Sequence, residues 1–164
     1  KDRLNTVDFC IVNQSIDDEL KFTRLVQNQF TMQLKPHVAV NLKNHAQIDV
    51  RTGFIGKKLH AVAGIGAPER FFHMLQNLGL AFTPHAFSDH YAFNADDFSF
   101  LKEDDCVIMT EKDAVKCEAF ADERYWYAPV TAELPEDFFA GLLSHFQRII
   151  DANVMWRRSN ETKT

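Results

Sequence analysis

The feature of this sequence that most constrains its fold is a strand–helix–strand pattern near the middle of the chain. Leu59–Ala63 is a short apolar run typical of a buried strand, and Pro68 stands where a helix begins and a missing N–H costs nothing. Four apolar residues then share one helix face: Phe71, Phe72, Leu75 and Leu78. Gly79 is placed to end the helix, and residues 80–87 read as a second strand. Such a unit predicts parallel strands with a right-handed crossover.

A second unit of the same kind follows. The sequence predicts a helix over residues 94–101, capped by its first residue, and a buried strand over 106–109. Thr110 and Asp113 match a capping box, in which each side chain satisfies a free backbone donor at a helix start. A further strand is expected at 125–130. The alternation predicts a three-layer, Rossmann-like α/β domain with a mostly parallel sheet.

The flanking regions complete this expectation. Three further strands are expected, at residues 7–12, 30–34 and 37–42. Residues 44–49 read as a loop, and 136–150 as a long amphipathic helix that packs on the sheet. We expect one α/β domain over residues 1–150 and a polar, frayed tail over 151–164.

Composition excludes several classes of protein. The net charge is −5, with 18 basic residues against 23 acidic ones, which argues against a nucleic-acid partner because phosphate binding needs a basic face. No apolar run reaches the ~20 residues that cross a bilayer. The three cysteines form no metal-binding pair and read as buried, reduced thiols: Cys10, Cys106 and Cys117.

Residues 64–66 (Gly-Ile-Gly) form a glycine turn between a strand and a helix, and such a turn can aim free N–H groups at a phosphate. The dinucleotide fingerprint needs a third glycine, but Glu69 stands there and would repel a pyrophosphate. Two interpretations stay open: a tight structural turn, or a turn whose Gly64 and Gly66 line a cleft.

The sequence also lacks a Walker A phosphate loop. The pair Gly56-Lys57 would need glycine where Arg51 stands, and Lys58 occupies the place of the Ser or Thr that binds magnesium. This chain therefore lacks the usual means of binding a nucleoside triphosphate.

An acid and an imidazole stand side by side just after a predicted strand. Asp89 precedes His90 directly, and a carboxylate can orient an imidazole that exchanges protons near neutral pH. The two act together only in a turn, because neighbours on a strand point to opposite faces. His85 adds a possible metal ligand, but no third ligand has metal-site spacing, so we expect no metal site. A structural role for the histidine is the open alternative.

Lys112 and Lys116 are four residues apart at the start of a predicted helix and so share one face. Near a cleft, Lys112 would meet a phosphate. The alternative is a capped helix with solvated lysines.

Three segments together resemble a known family. They are HAVAGIGAPERFF (60–72), FSDHYAF (87–93) and MTEKDAVK (109–116). In this order and spacing they are similar to the C-terminal half of the tetraacyldisaccharide 4'-kinases of lipid A biosynthesis. The resemblance covers about residues 1–150.

The resemblance implies a lipid kinase that transfers the γ-phosphate of ATP to the 4'-hydroxyl of a tetraacyldisaccharide 1-phosphate, a lipid A precursor. It implies use of Mg²⁺ and a location at the cytoplasmic face of the bacterial inner membrane. It also implies a partner, an N-terminal P-loop domain, which would bind most of the ATP and Mg²⁺ and contact the membrane. The chain alone is then expected to be inactive.

The resemblance also implies roles for particular residues. The family's catalytic histidine maps to His90, next to Asp89, and the family often has a second histidine where this chain has Tyr91. Gly64, Gly66 and Lys112 would line the cleft between the two halves.

Two other functions stay open from the residues. One is a non-catalytic Rossmann-like module that binds a ligand or a partner. The other is a metal-dependent hydrolase built on His85, Asp89 and His90.

Overall fold

The computed structural model describes residues 6–13 and 28–161. This part of the chain forms nine strands: β1 (Cys10–Asn13), β2 (Gln29–Pro36), β3 (Val38–Asn41), β4 (Gln47–Asp49), β5 (Leu59–Ala63), β6 (Thr83–Ala86), β7 (Cys106–Thr110), β8 (Tyr125–Ala128) and β9 (Val130–Glu133). Its α-helices are α1 (Pro68–Asn77), α2 (Glu111–Cys117) and α3 (Glu136–Glu161).

The described chain divides into two compact units, a division that the sequence pattern did not indicate. The larger unit spans residues 35–131, and the smaller one combines residues up to 34 with those from 132 onward.

The larger unit is built on a six-stranded sheet with the order β4-β3-β8-β7-β5-β6. Strands β8, β7, β5 and β6 run parallel, whereas β3 is antiparallel to both β8 and β4. The register pairs Val62 with His85 on β6 and with Met109 on β7. The mostly parallel sheet is confirmed.

Alternating side chains on the central strands bury both faces of this sheet. On β7, Ile108 packs in a cluster with Phe72 and Leu75 of α1, whereas its neighbour Met109 packs in a second cluster with Ala114 of α2. Because successive side chains of a strand face opposite ways, α1 and α2 cover opposite faces. The three-layer α/β architecture is confirmed.

Local signals set where the helices of this unit begin and end. Pro68 occupies the first turn of α1, and Gly79 beyond its end has φ +85°, a left-handed conformation that glycine adopts without strain. Thr110 caps α2 by accepting a hydrogen bond from the N–H of Asp113. Asn94 does cap the next expected helix, but that helix is only the 3₁₀ turn Ala95–Phe98.

Several expected boundaries were wrong. Residues 47–49 of the expected loop form β4, which pairs with β3 in a hairpin closed by hydrogen bonds from Lys43 and Asn44 N–H to the Asn41 side chain. The expected strand over 125–130 breaks at Pro129, which has no N–H to donate, and continues as β9 in the other sheet. The strand expected at 80–87 covers only 83–86.

The smaller unit contains a three-stranded sheet in the order β1-β2-β9, with β1 parallel to β2, and the helix α3. Phe138 of α3 packs edge-on against Phe9 and Phe30, with ring centroids 5.8 and 5.4 Å away. The strand expected at 7–12 begins only at Cys10. Residues 151–161 of the expected polar tail continue α3 as far as Glu161, and residues 162–164 lie outside the described residues.

On α3, a set of apolar side chains is exposed, and we call it the α3 stripe: Phe139, Leu143, Phe146, Ile149, Ile150, Val154 and Met155. At helical spacing, Phe139, Leu143, Phe146 and Ile150 of this set lie on one side of the helix. Among the described helices, none combines the length and the apolar character that crossing a membrane requires.

Candidate functional site

The three segments singled out in the sequence converge at one edge of the larger sheet. The glycine turn follows the last residue of β5, the loop 87–93 follows β6, and α2 follows β7. These strands are neighbours and parallel, in the order β7-β5-β6, so their carboxyl ends meet at the same edge. The structure therefore brings together segments separated by up to about 50 residues of sequence.

Asp89 and His90 lie in a turn at this edge. His90 has φ +61°, a left-handed conformation that is uncommon for a residue with a side chain. Its N–H donates to Asp89 Oδ1 at 3.0 Å, and its Nε2 lies 3.6 Å from Asp89 Oδ2. The His90 side chain is 77% exposed. The turn thus presents the imidazole to solvent beside a carboxylate.

Lys112 completes an ionic cluster around Asp89. Its Nζ lies 3.3 Å from Asp89 Oδ1, and both side chains are about half exposed. Partial burial raises the pKa of Asp89, but the hydrogen bond from Lys112, the charges of His90 and Lys112 and the His90 N–H outweigh it and lower that pKa. The carboxylate is therefore ionised at neutral pH, between two basic side chains.

The glycine turn is hydrogen-bonded to Asp113, a residue that the sequence pattern assigned only to the capping box of the next helix. Asp113 Oδ2 accepts a hydrogen bond from Gly64 N–H at 2.9 Å and another from the Thr110 hydroxyl at 2.7 Å. The capping box is thus only half formed, since Thr110 caps Asp113 N–H but the carboxylate serves Gly64. Nothing in the sequence relates Asp113 to a residue 49 positions away.

This geometry does not fit a phosphate cradle at the glycine turn. Gly64 is buried and its N–H is already bonded to Asp113, so of the two interpretations left open for this turn, the tight structural turn describes Gly64. Gly66 is exposed, but a Cβ built on it would lie 3.6 Å from Asp89 Oδ2, a charge that repels an anion. Lys112 is a half-exposed cation at this edge, paired with Asp89.

His85 makes its contacts away from the Asp89–His90 turn. Its Nε2 lies 2.9 Å from Nδ1 of the buried His60, and its ring stacks on Phe100 at 3.9 Å. His60 Nε2 in turn lies 3.2 Å from Asp105 Oδ2. Burial, followed by the charges of His60 and Lys58, lowers the pKa of His85. The sequence pattern did not predict this series of contacts from His85 through His60 to Asp105, although His60 and His85 stand on neighbouring strands.

Across the described residues, no group of three His, Cys, Asp or Glu side chains is arranged to hold a metal ion. The cysteines are free thiols: Cys106 and Cys117 are buried and Cys10 is half-buried. Burial raises the pKa of Cys117 to about 12, which makes its thiol unreactive.

Comparison with known proteins gives a consistent result. The family model described as tetraacyldisaccharide-1-P 4'-kinase matches residues 1–147. A Nitrosococcus oceani protein named tetraacyldisaccharide 4'-kinase is 42% identical over 146 residues, which cover 89% of this chain and 40% of that protein. A Pseudomonas fluorescens protein of the same name is 38% identical over 149 residues, covering 91% of this chain and 42% of its own length.

A solved structure supports the fold. The crystal structure of LpxK from Aquifex aeolicus, in complex with ATP, matches 88% of this chain and 44% of its own chain, with a TM-score of 0.61 and 18% identity. The chain spans about two fifths of the length of these relatives. The family model covers most of the chain and includes all three converging segments. The chain therefore belongs to the tetraacyldisaccharide-1-P 4'-kinase family.

Proposed function

We propose that this chain is the C-terminal part of a lipid kinase that transfers the γ-phosphate of ATP to the 4'-hydroxyl of a tetraacyldisaccharide 1-phosphate. The observation that carries the proposal is the Asp89–His90 turn. It presents an exposed imidazole in an uncommon backbone conformation, at the sheet edge where α/β proteins place their sites. Membership of the family supports the reaction class.

In this reaction His90 acts on the acceptor. The 4'-oxygen forms a bond to the γ-phosphorus while the bond from that phosphorus to the β,γ-bridging oxygen breaks, and ADP leaves. A ring nitrogen of His90 takes the hydroxyl proton, either directly or together with a carboxylate from the rest of the kinase. Asp89 orients the imidazole and stabilises its protonated form.

Lys112 meets the negative charge of the substrate from the same edge. Its ammonium is half exposed beside Asp89, so it can turn from that carboxylate to an incoming phosphate. In phosphoryl transfer the protein mainly positions groups and spreads charge, a role that suits a lysine there. Gly66 lines the same edge, with Gly64 buried beneath it.

The nucleotide and Mg²⁺ belong to another part of the kinase, an N-terminal P-loop domain. The absence of a Walker A sequence in this chain and the engaged N–H of Gly64 both support this division of labour. We assign residues 1–150 to the C-terminal domain on the same grounds.

The α3 stripe supports a partner for this chain. Several exposed large apolar side chains on one helix are typical of an interaction site, and the partner we propose for it is the N-terminal domain. Leu143→Glu is expected to weaken association between the two separately produced parts. Contact with the cytoplasmic face of the inner membrane then falls to the N-terminal part.

The test is the His90→Ala variant of the full-length gene product. Turnover is measured as transfer of labelled γ-phosphate from ATP to tetraacyldisaccharide 1-phosphate. We expect a fall of ~10²–10⁴-fold with an unchanged melting temperature, since a positioned acid–base group contributes about that much. Unchanged turnover would refute the role of His90.

The matched control is His73→Ala, an exposed histidine on α1, which should leave turnover within about twofold. Calorimetry of the 164-residue chain with Mg-ATP is a second check. Negligible binding is expected, whereas micromolar affinity would favour a ligand-binding module instead.

A further inference from the structure

Asp113 is the most completely buried carboxylate of the described chain, with no exposed surface. Besides Gly64 N–H and the Thr110 hydroxyl, it receives an ion pair from Lys116 Nζ at 2.8 Å. A buried charge is costly unless it is paired and hydrogen-bonded, and here two hydrogen bonds and an ion pair compensate it. The carboxylate is therefore fixed in one geometry.

Each of these partners connects Asp113 to a different segment of the site. Gly64 belongs to the glycine turn, and Thr110 ends β7. Lys116 reaches the loop 87–93, because its ammonium lies over the ring of Phe93, 5.4 Å from the centroid. Phe93 in turn packs so closely on the glycine turn that a Cβ at Gly64 would lie 3.1 Å from its Cζ.

The same helical turn also reaches the Asp89–His90 pair. Lys112 directly precedes Asp113 and binds Asp89. Gly66 also borders the Asp89 carboxylate, since a Cβ built on it would lie 3.6 Å from Asp89 Oδ2. A shift of Asp113 would therefore move the supports of Asp89 together.

From this network we propose that Asp113 is a positioning residue, which sets the place of the Asp89–His90 turn through Gly64, Lys112 and Lys116 without touching the substrate. This role rests on the proposed function. A misplacement of about 1 Å at a reacting group can cost ~10²-fold in rate, so such an anchor matters for turnover.

The first experiment uses the 164-residue chain and does not depend on kinase activity. Two-dimensional amide NMR is compared for wild type, Asp113→Asn and the control Glu111→Gln, which neutralises an exposed carboxylate in the same helical turn. We expect the resonances of Gly64, Gly66, Asp89 and His90 to move in Asp113→Asn and to stay in the control. Movement of Gly64 alone would overturn the proposal.

A titration separates displacement from simple electrostatics. Loss of a nearby negative charge, by itself, lowers the pKa of Asp89 further. Displacement of Lys112 raises it. We therefore expect the Asp89 carboxyl of Asp113→Asn to titrate at higher pH than in wild type, and a value that is unchanged or lower would contradict the positioning role.

The second experiment measures turnover in the full-length gene product. We expect Asp113→Asn to reduce it by ~10²-fold, with Glu111→Gln within about twofold of wild type. If wild type transfers no phosphate while the NMR result holds, the proposed function fails and the anchor stands. If turnover is normal in Asp113→Asn, the anchor fails and the kinase stands.

Lys116→Met covers the case in which Asp113→Asn does not fold. It keeps the Gly64 and Thr110 hydrogen bonds and removes only the ammonium that links Asp113 to Phe93. We expect Phe93 and His90 resonances to move with the fold preserved. Unchanged His90 resonances in a folded Lys116→Met would overturn the link to the turn.

Discussion

The ammonium of Lys112 lies 3.3 Å from a carboxylate oxygen of Asp89, which is 23 residues away in the sequence. This contact joins the first turn of α2 to the loop after β6, and it places a cation next to the residue that precedes His90. Because both side chains are about half exposed, the pair is adjustable, and its effect is best observed through the ionisation of Asp89.

Replacing Lys112 by methionine should raise the pKa of Asp89 towards the ordinary value of 3.8. The lowered pKa means that the ionised form stabilises the fold at neutral pH, and that this contribution is lost as pH falls below 3.8 through the folded-state value. Carboxyl-detected NMR titration of the two proteins measures the change. Lys102→Met, the loss of an exposed lysine elsewhere, should leave the Asp89 curve where it is, and equal curves in all three would disprove the coupling.

Gly64→Ala should destabilise the chain by about 1–3 kcal/mol, as overpacking of a close-packed site does. The new Cβ would lie 3.1 Å from Phe93 Cζ and 3.2 Å from Asp113 Oδ1. Gly66→Ala is the matched control, since its Cβ would make only an ordinary contact of 3.6 Å. Urea unfolding monitored by tryptophan fluorescence compares the two, and equal midpoints would argue against the tight packing of the glycine turn.

The free energy of unfolding should decrease as pH falls from 7.5 towards 5.5, in part because of His85. Burial and nearby positive charge lower its pKa below 6.5, so the unfolded chain takes up a proton that the folded chain still resists. Urea unfolding at pH 7.5, 6.5 and 5.5 should therefore show a smaller loss in His85→Gln than in wild type. A slope that is the same in both proteins would mean that His85 does not carry this dependence, and exposed His73→Gln serves as the control.

Phe138→Ala should cost about 3 kcal/mol, whereas Phe139→Ala should cost less than about 1 kcal/mol in the 164-residue chain. The two residues are adjacent on α3, but Phe138 is 8% exposed and packs on Phe9 and Phe30, while Phe139 is 50% exposed. Thermal unfolding followed by circular dichroism measures both. Similar losses for the pair would mean that the two faces of α3 do not differ in packing.

The parallel core was predictable because its signals are local. Leu59–Ala63 is apolar except for His60, and Pro68 and Gly79 mark the helix that follows it, so strand, helix and crossover follow from short-range chemistry. Elements were misjudged where a short-range pattern was too brief or was interrupted. The three-residue β4 gave no periodic signal, and Pro129 divided one apparent strand between two sheets.

The sequence by itself indicated which segments carry the candidate site, because the residue types around Gly64, His90 and Lys112 suit the proposed chemistry wherever they lie. Only the tertiary structure decided which of their groups are bonded within the fold and which are exposed. Parallel pairing of β7, β5 and β6 brings the three segments to one edge. There the buried Gly64 N–H donates a hydrogen bond to Asp113, whereas the His90 side chain stays exposed to solvent. The physical reason is that a buried polar group must find a partner within hydrogen-bond distance, and distance in space is set by the sheet, not by position along the chain.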